Sequence, residues 1–247
     1  MPTVTVTGVV LRRWDVGEFD RRVSILTSER GRILATARGA RKSASKLAGV
    51  TEPLSLSRFQ IAIGRKKEYI TQAQPIRAFP KIRKDFRFLS AALAWCEILD
   101  AILPVEEPNQ EIFDLAVLVL DAIEESEEPL APLSWGDLHL MTISGYAPEF
   151  RTCVVTGQEC RGAKRYLSPR SGGAVASPTL AEDAFEVPYE VAITLAQLLE
   201  LPNPPRYMKR AREVAAAILP FWLEIVGHRL PARQNLLSNS MTNSTKL

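Results

Sequence analysis

The chain has 247 residues, 46% of them hydrophobic, with 31 Lys+Arg against 28 Asp+Glu and three cysteines. That is enough apolar content to bury a core in one large domain or a few small ones. No apolar run approaches the roughly 18–20 residues that span a bilayer, and an odd cysteine count is no disulfide framework. The start, Met1-Pro2-Thr3-Val4-Thr5, lacks the basic and apolar regions of a secretory signal, so a reducing cytoplasm is the expected compartment.

The formal net charge of +3 conceals a sorting along the chain. Residues 1–88 carry 19 Lys+Arg and 7 Asp+Glu; residues 89–150 carry no Lys or Arg and 13 Asp+Glu; residues 151–247 carry 12 and 8. A concentrated positive field attracts polyanions and releases their counterions on binding. The first third is therefore expected to meet nucleic acid, and the acidic middle to face elsewhere or to dock on the basic module. Lys81, Arg83 and Lys84 are the cations expected to reach Glu106 or Glu107.

In chain order, Val4 and Val6 alternate with threonines before Val9-Val10-Leu11, a first strand. Val23–Thr27 is a second, Ser28-Glu29-Arg30-Gly31 a hairpin turn, and Arg32–Arg38 a third. A basic loop runs from Gly39 to Gly49. Leu54–Ile63 is a fourth strand, whose alternation changes phase between Leu56 and Phe59, as a bulge or sharp bend would cause. Glu68–Gln74 returns as a fifth. Five short strands with one long connection match an OB-type barrel; an SH3-like barrel is the competing reading.

Pro75 and Pro80 end the β pattern, which places a nucleic-acid-binding OB domain at residues 1–80 and a helical domain at 81–247. Helical periodicity covers about 87–103, then a helix capped by Asn109 runs to about Glu125. Leu133–Ile143 follows, with Gly145 placed to stop it. Residues 148–183 read as an irregular insertion. Helices resume at about 189–201 and 206–227, the latter kinked or divided by Pro220, and residues 236–247 read as a disordered tail. The fold class is thus α+β and multidomain: an OB-type barrel, then helices interrupted by the insertion.

The candidate nucleic-acid contacts are Arg12, Arg13, Arg38, Arg41, Lys42, Lys46, Arg65, Lys66 and Lys67, all read as strand-end or loop positions of the barrel. Arginine suits phosphate because its planar fork donates two hydrogen bonds at once. Trp14, beside Arg12-Arg13, is the favoured stacking ring; Phe19, Phe59 and Tyr69 are read as core. No catalytic constellation is present. His139 and His228 read as structural, and Gly39-Ala40-Arg41-Lys42-Ser43 lacks the glycine that a phosphate loop sets before its lysine. Cys96 sits on an apolar helix face. Cys153 and Cys160 lie seven residues apart, the wrong spacing for a zinc knuckle.

Several short motifs in order carry a resemblance. They are Gly8-Val9-Val10-Leu11-Arg12, Asp15-Val16-Gly17-Glu18-Phe19-Asp20, Ile25 to Arg32, Ala37 to Lys42, Leu47-Ala48-Gly49, Glu52-Pro53-Leu54 and Ser144 to Pro148. With them the chain resembles the bacterial recombination mediator family RecO. The resemblance implies a protein that is not an enzyme. It would bind single- and double-stranded DNA, anneal complementary strands, and interact with RecR and single-strand-binding protein to help RecA load onto coated DNA. A cytoplasmic, nucleoid-associated location follows from that role. Many members hold zinc on four cysteines. Here Cys153 matches the first, but Thr156, Ala176 and Thr179 stand at the other three positions, so the insertion is zinc-ribbon-like but degenerate, and no metal or cofactor is expected. The alternative is an RNA-binding or translation-associated OB protein, whose phosphate contacts would look alike. A third reading is a scaffold acting chiefly through its acidic helices.

Overall fold

Strand alternation in the first third closes on itself. The computed structural model describes residues 2–162 and 164–238. β1 (Thr3–Val16), β2 (Asp20–Thr27), β3 (Gly31–Ala37), β4 (Leu56–Ile63) and β5 (Glu68–Arg77) form a closed barrel in the order β1-β2-β3-β5-β4. β3 and β5 pair in parallel and every other pair is antiparallel, an arrangement of the OB type rather than the SH3 type. Val6, Val10, Val23, Ile25, Ile33, Phe59, Ile61 and Ile70 fill the interior. The expected phase change in the fourth strand is a register shift between Leu56 and Ser57, preceded by Leu54 in a left-handed conformation (φ 68°).

Two compact units divide the chain at Glu124/Glu125. The barrel shares the first with α1 (Pro80–Lys84), α2 (Phe86–Ile102) and α3 (Gln110–Glu125). The side chain of Asp85 caps α2, accepting from Arg87 N at 2.8 Å, and Asn109 caps α3, accepting from Ile112 N at 3.1 Å. α2 packs on β1, where Val9 and Leu11 are buried without belonging to the barrel interior. Trp95 of α2 donates to Ala116 O of α3 at 3.2 Å. Burial pushes the Cys96 thiol up to about 12, in keeping with a core position.

Docking of acidic residues on the basic barrel is present, and Glu106 is held there by a cation outside the expected set. Glu106 pairs with Arg30 at 2.5 Å, and Asp100 with Arg32 at 3.3 Å and Arg12 at 3.8 Å. Arg83 turns instead to the Pro53 and Ala78 carbonyls, both at 2.8 Å. Gly31 explains why the β2–β3 turn must stay small: its φ is +66°, and a Cβ there would run into the Glu107 backbone.

In the second unit, α4 (Leu130–Ile143) is apolar on nearly every side and buried from Leu130 to Leu138, so it forms the centre. α5 (Tyr189–Glu200) and α6 (Ala211–Val226) pack on it. Gly145 (φ 84°) ends α4, with Tyr146 N donating to Met141 O at 2.8 Å. α6 runs undivided across Pro220. Trp135 donates to Leu201 O at 2.9 Å, and His139 stacks on it with ring centroids 3.9 Å apart, its pKa lowered by burial. The segment read as irregular contains two strands of a three-stranded sheet, β6 (Lys164–Ser168) and β7 (Gly173–Val175), and the third, β8 (Phe185–Pro188), follows just beyond it; the spatial order is β7-β6-β8. Its strands are too short for alternation to reveal them. The presumed tail begins inside α7 (Pro231–Ser238); residues 239–247 lie outside the described residues.

α7 is held by a charge pair that local sequence does not foretell. Arg233 (1% exposed) reaches Asp137 (fully buried) with both terminal nitrogens, one bond being 2.7 Å and the other shorter. Removing one member of a buried pair strands the other charge, whereas replacing both with apolar residues can be neutral.

The residues around Cys153 do not fit a structural zinc, which takes four ligands. Among the described residues no group of three or more His, Cys, Asp or Glu could hold a metal. The Cys153 sulfur is instead a hydrogen-bond acceptor. Burial pushes its pKa up, but the Thr156 hydroxyl and the N–H groups of Thr156, Ala176 and Val155 outweigh burial and bring it to about 7. Three of these four donor groups belong to Thr156 and Ala176, positions where the resemblance implies cysteines.

Two outcomes are expected. Arg233→Met alone costs about 3–5 kcal/mol in urea unfolding followed by tryptophan fluorescence, and adding Asp137→Leu restores most of it. A thiolate absorbance titration shows one cysteine titrating near pH 7. Because this pKa lies below the unfolded value near 9, the associated stability is full above pH 9 and is lost as pH falls through 7. Thr156→Val should move that titration upward.

Candidate nucleic-acid interface

The barrel sorts the nine candidate cations by face. Residues paired across strands point the same way. Arg13, Val23 and Ala35 are one such row and Asp15, Arg21 and Ala37 the next; Val23, Ala35 and Ala37 belong to the interior, so these rows face inward. Trp14, Arg22, Thr36 and Tyr69 form the intervening row across β1, β2, β3 and β5, and face outward. Arg12 and Arg13 therefore lie within β1, not at its end, because β1 continues to Val16.

The inward rows bind the loop that follows β3. Arg21, a buried arginine absent from the expected set, donates from Nη1 to Thr51 Oγ1 and Glu52 Oε1, both at 2.9 Å, and to Ala48 O at 3.1 Å. Arg13 pairs with Glu52 at 2.9 Å and Asp15 at 3.2 Å. Arg41 reaches the same Asp15 at 3.5 Å and the Gly17 carbonyl at 3.2 Å. Arg13, Arg21 and Arg41 thus share the two carboxylates Asp15 and Glu52, which offsets part of their charge and ties the loop to β1 and β2.

On the outward side the cations remain open. Arg38 follows β3 and places its guanidinium 4.2 Å from the centroid of the Tyr69 ring. Arg12 lies 5.0 Å from that of Trp14, 61% exposed, with Asp100 at 3.8 Å. Lys42 lies 5.4 Å from the Phe19 ring, which is exposed rather than core. Arg65, Lys66 and Lys67 form the β4–β5 turn, and with Arg38 and Tyr69 they line a cleft of about 740 Å³. Among the described residues no carboxylate lies within 4 Å of Arg38, Arg65, Lys66 or Lys67. Lys46 stands apart, in a separate depression of about 420 Å³ beside Glu52, Arg77 and Arg83.

The structure thus brings Arg38, Arg65, Lys66 and Lys67 together, leaves Arg12 and Lys42 on flanking rings, and diverts Arg13 and Arg41. Sequence reading missed Arg22, exposed at the centre of the outward row, and misplaced half-buried Tyr69 in the core. The signal was available for Arg22, since β2 alternation carried back from Val23 puts it outside.

Chemically, exposed guanidinium and ammonium groups beside aromatic faces suit phosphates and bases. Among the described residues no helix is long and apolar enough to cross a membrane. Residues 1–79 match the family described as Recombination protein O N terminal, and residues 83–217 the one described as Recombination protein O C terminal. The chain is 34% identical over 229 residues to a DNA repair protein RecO from Synechococcus sp. (strain JA-3-3Ab), covering 87% of this chain and 76% of that protein. It is 31% identical over 229 residues to the DNA repair protein RecO of Roseiflexus sp. (strain RS-1), covering 90% and 81%. With that of Nocardioides sp. (strain ATCC BAA-499 / JS614) it shares 32% over 226 residues, covering 87% and 93%. Both halves of the chain and the barrel topology agree: it belongs to the recombination protein O family, RecO.

Proposed function

We propose that this protein is a DNA-repair and recombination mediator that works by binding rather than by catalysis. The barrel segment, residues 1–80, binds single- and double-stranded DNA through its outward row and the adjoining cleft, and so favours annealing of complementary strands. With RecR it helps RecA load onto DNA coated by single-strand-binding protein, in the cytoplasm and at the nucleoid. The observation that carries this reading is the group Arg38, Arg65, Lys66 and Lys67, four cations around one cleft without a carboxylate partner. Family membership supplies the biological setting.

Annealing follows from the same chemistry. Two complementary strands repel through their phosphates, and a surface that neutralises several of them lowers that repulsion while leaving bases free to pair. The absence of a shared acid, base and nucleophile cluster in the sequence supports a binding role.

The test is a salt series. Arg38→Glu with Lys66→Glu should weaken binding of single-stranded DNA at least about tenfold at moderate salt, about 1.4 kcal/mol. The neutral pair Arg38→Gln with Lys66→Gln should reduce the log–log salt slope by about 1.4, near 0.7 per lost phosphate contact. Arg13→Gln should change affinity less, since its guanidinium is held by Glu52 and Asp15. Unchanged affinity in the folded Arg38/Lys66 variants would remove the barrel from DNA binding. A stronger hold on RNA than on DNA of the same sequence would favour the RNA-binding alternative.

A further inference from the structure

The cleft beside Tyr69 has more than charge. Its four cations share the lining with Ala62, Gly64, Thr71 and the ring-bearing Tyr69. Tyr69 is placed by two strands at once, opposite Thr36 of β3 and Ala62 of β4, so the ring stands on a rigid base. One face of that ring is covered by the Arg38 guanidinium at 4.2 Å. Arg38 is exposed and follows the last residue of β3, so it can leave the ring without breaking a strand pair. The nearest acidic residue in sequence, Glu68, is turned away from the cleft and bonded to Arg30 at 2.8 Å.

We propose that this cleft is a subsite for one unpaired nucleotide of a single strand. The base takes the face of Tyr69 that Arg38 covers in the free protein. Arg38 turns its donors to the adjoining phosphate, and Arg65, Lys66 and Lys67 hold the neighbouring phosphates. About 740 Å³ lies within the roughly 300–1,000 Å³ usual for a small-ligand site. A base in a duplex is stacked and paired and has no free face, so this subsite separates single from double strands where phosphate contacts alone do not. Any base offers a π face, so the subsite selects unpaired bases without selecting sequence. The inference rests on the reading of the barrel as the DNA-binding surface and deepens it.

The experiment compares the full chain with Tyr69→Ala and Tyr69→Phe on three probes: short oligothymidylate, the same oligonucleotide carrying abasic sites, and a duplex of equal length. Tyr69→Ala should lose at least about fivefold in affinity for oligothymidylate and less than about twofold for duplex. Tyr69→Phe keeps the ring and should bind as the parent does. Abasic sites should weaken the parent protein but not Tyr69→Ala. The parent-protein arm needs no variant, so misfolding of Tyr69→Ala leaves the test intact. If abasic sites leave the parent's affinity unchanged, or if Tyr69→Ala weakens single strands and duplex alike, the nucleotide subsite is wrong. If the Arg38/Lys66 charge variants also bind every probe as well as the parent, it is the barrel reading itself that fails.

Discussion

Closing a five-stranded sheet requires its two remaining edges to meet, and here β3 and β5 meet over only two register positions, Ala35–Glu68 and Thr36–Tyr69. That short parallel seam sets the rest of the interface. It puts Tyr69 at the end of a row that begins with Trp14 and Arg22, and it brings the residue after β3, Arg38, over the Tyr69 ring. It also carries the β4–β5 turn, with its three cations, up to the same place. Without the seam, the outward row would end at Thr36 and the cleft would have no second wall.

The second constraint is electrostatic. In sequence, basic and acidic residues occupy separate blocks, but the first unit, residues 1–124, contains 19 Lys+Arg and 15 Asp+Glu. Most of the apparent excess is answered by the helices that follow the barrel. Asp100 meets Arg32 and Arg12, Glu106 meets Arg30, and Asp121 meets Arg77. Exposed pairs of this kind contribute about 0–1 kcal/mol each, so apolar burial along β1 holds the helices in place. The important effect of the pairs is on the pattern of charge. They quiet one side of the barrel and leave the positive field concentrated at the β3 and β5 ends.

Strand and helix identities were largely legible because they depend on local alternation and capping residues, such as Asn109 and Gly145. The barrel interior followed from the same alternation. What local pattern could not supply was partnership across distance. Nothing near Arg13 announces that Glu52 will pair with it, nothing near Arg41 that Asp15 will, and nothing near Cys153 that Ala176 N will donate to its sulfur. Tyr69 was misread because an aromatic in a strand is usually core; only its neighbours Glu68 and Ile70 settle which way it points. The small sheet β6–β8 escaped because strands of three to five residues carry too few alternations to detect.

The pair between Asp137 and Arg233 joins residues 96 positions apart, and this separation bears on how the chain is born. At synthesis rates of about 5–20 residues per second, the Asp137 carboxylate emerges about 5–20 s before its partner Arg233 is made. The residues of the first unit, 1–124, are all made before that interval begins. In the second unit α5 and α6 can pack on α4 before it ends, but the Asp137 carboxylate waits for Arg233. All residues of the barrel's unit are therefore made before the second unit can satisfy its buried charge.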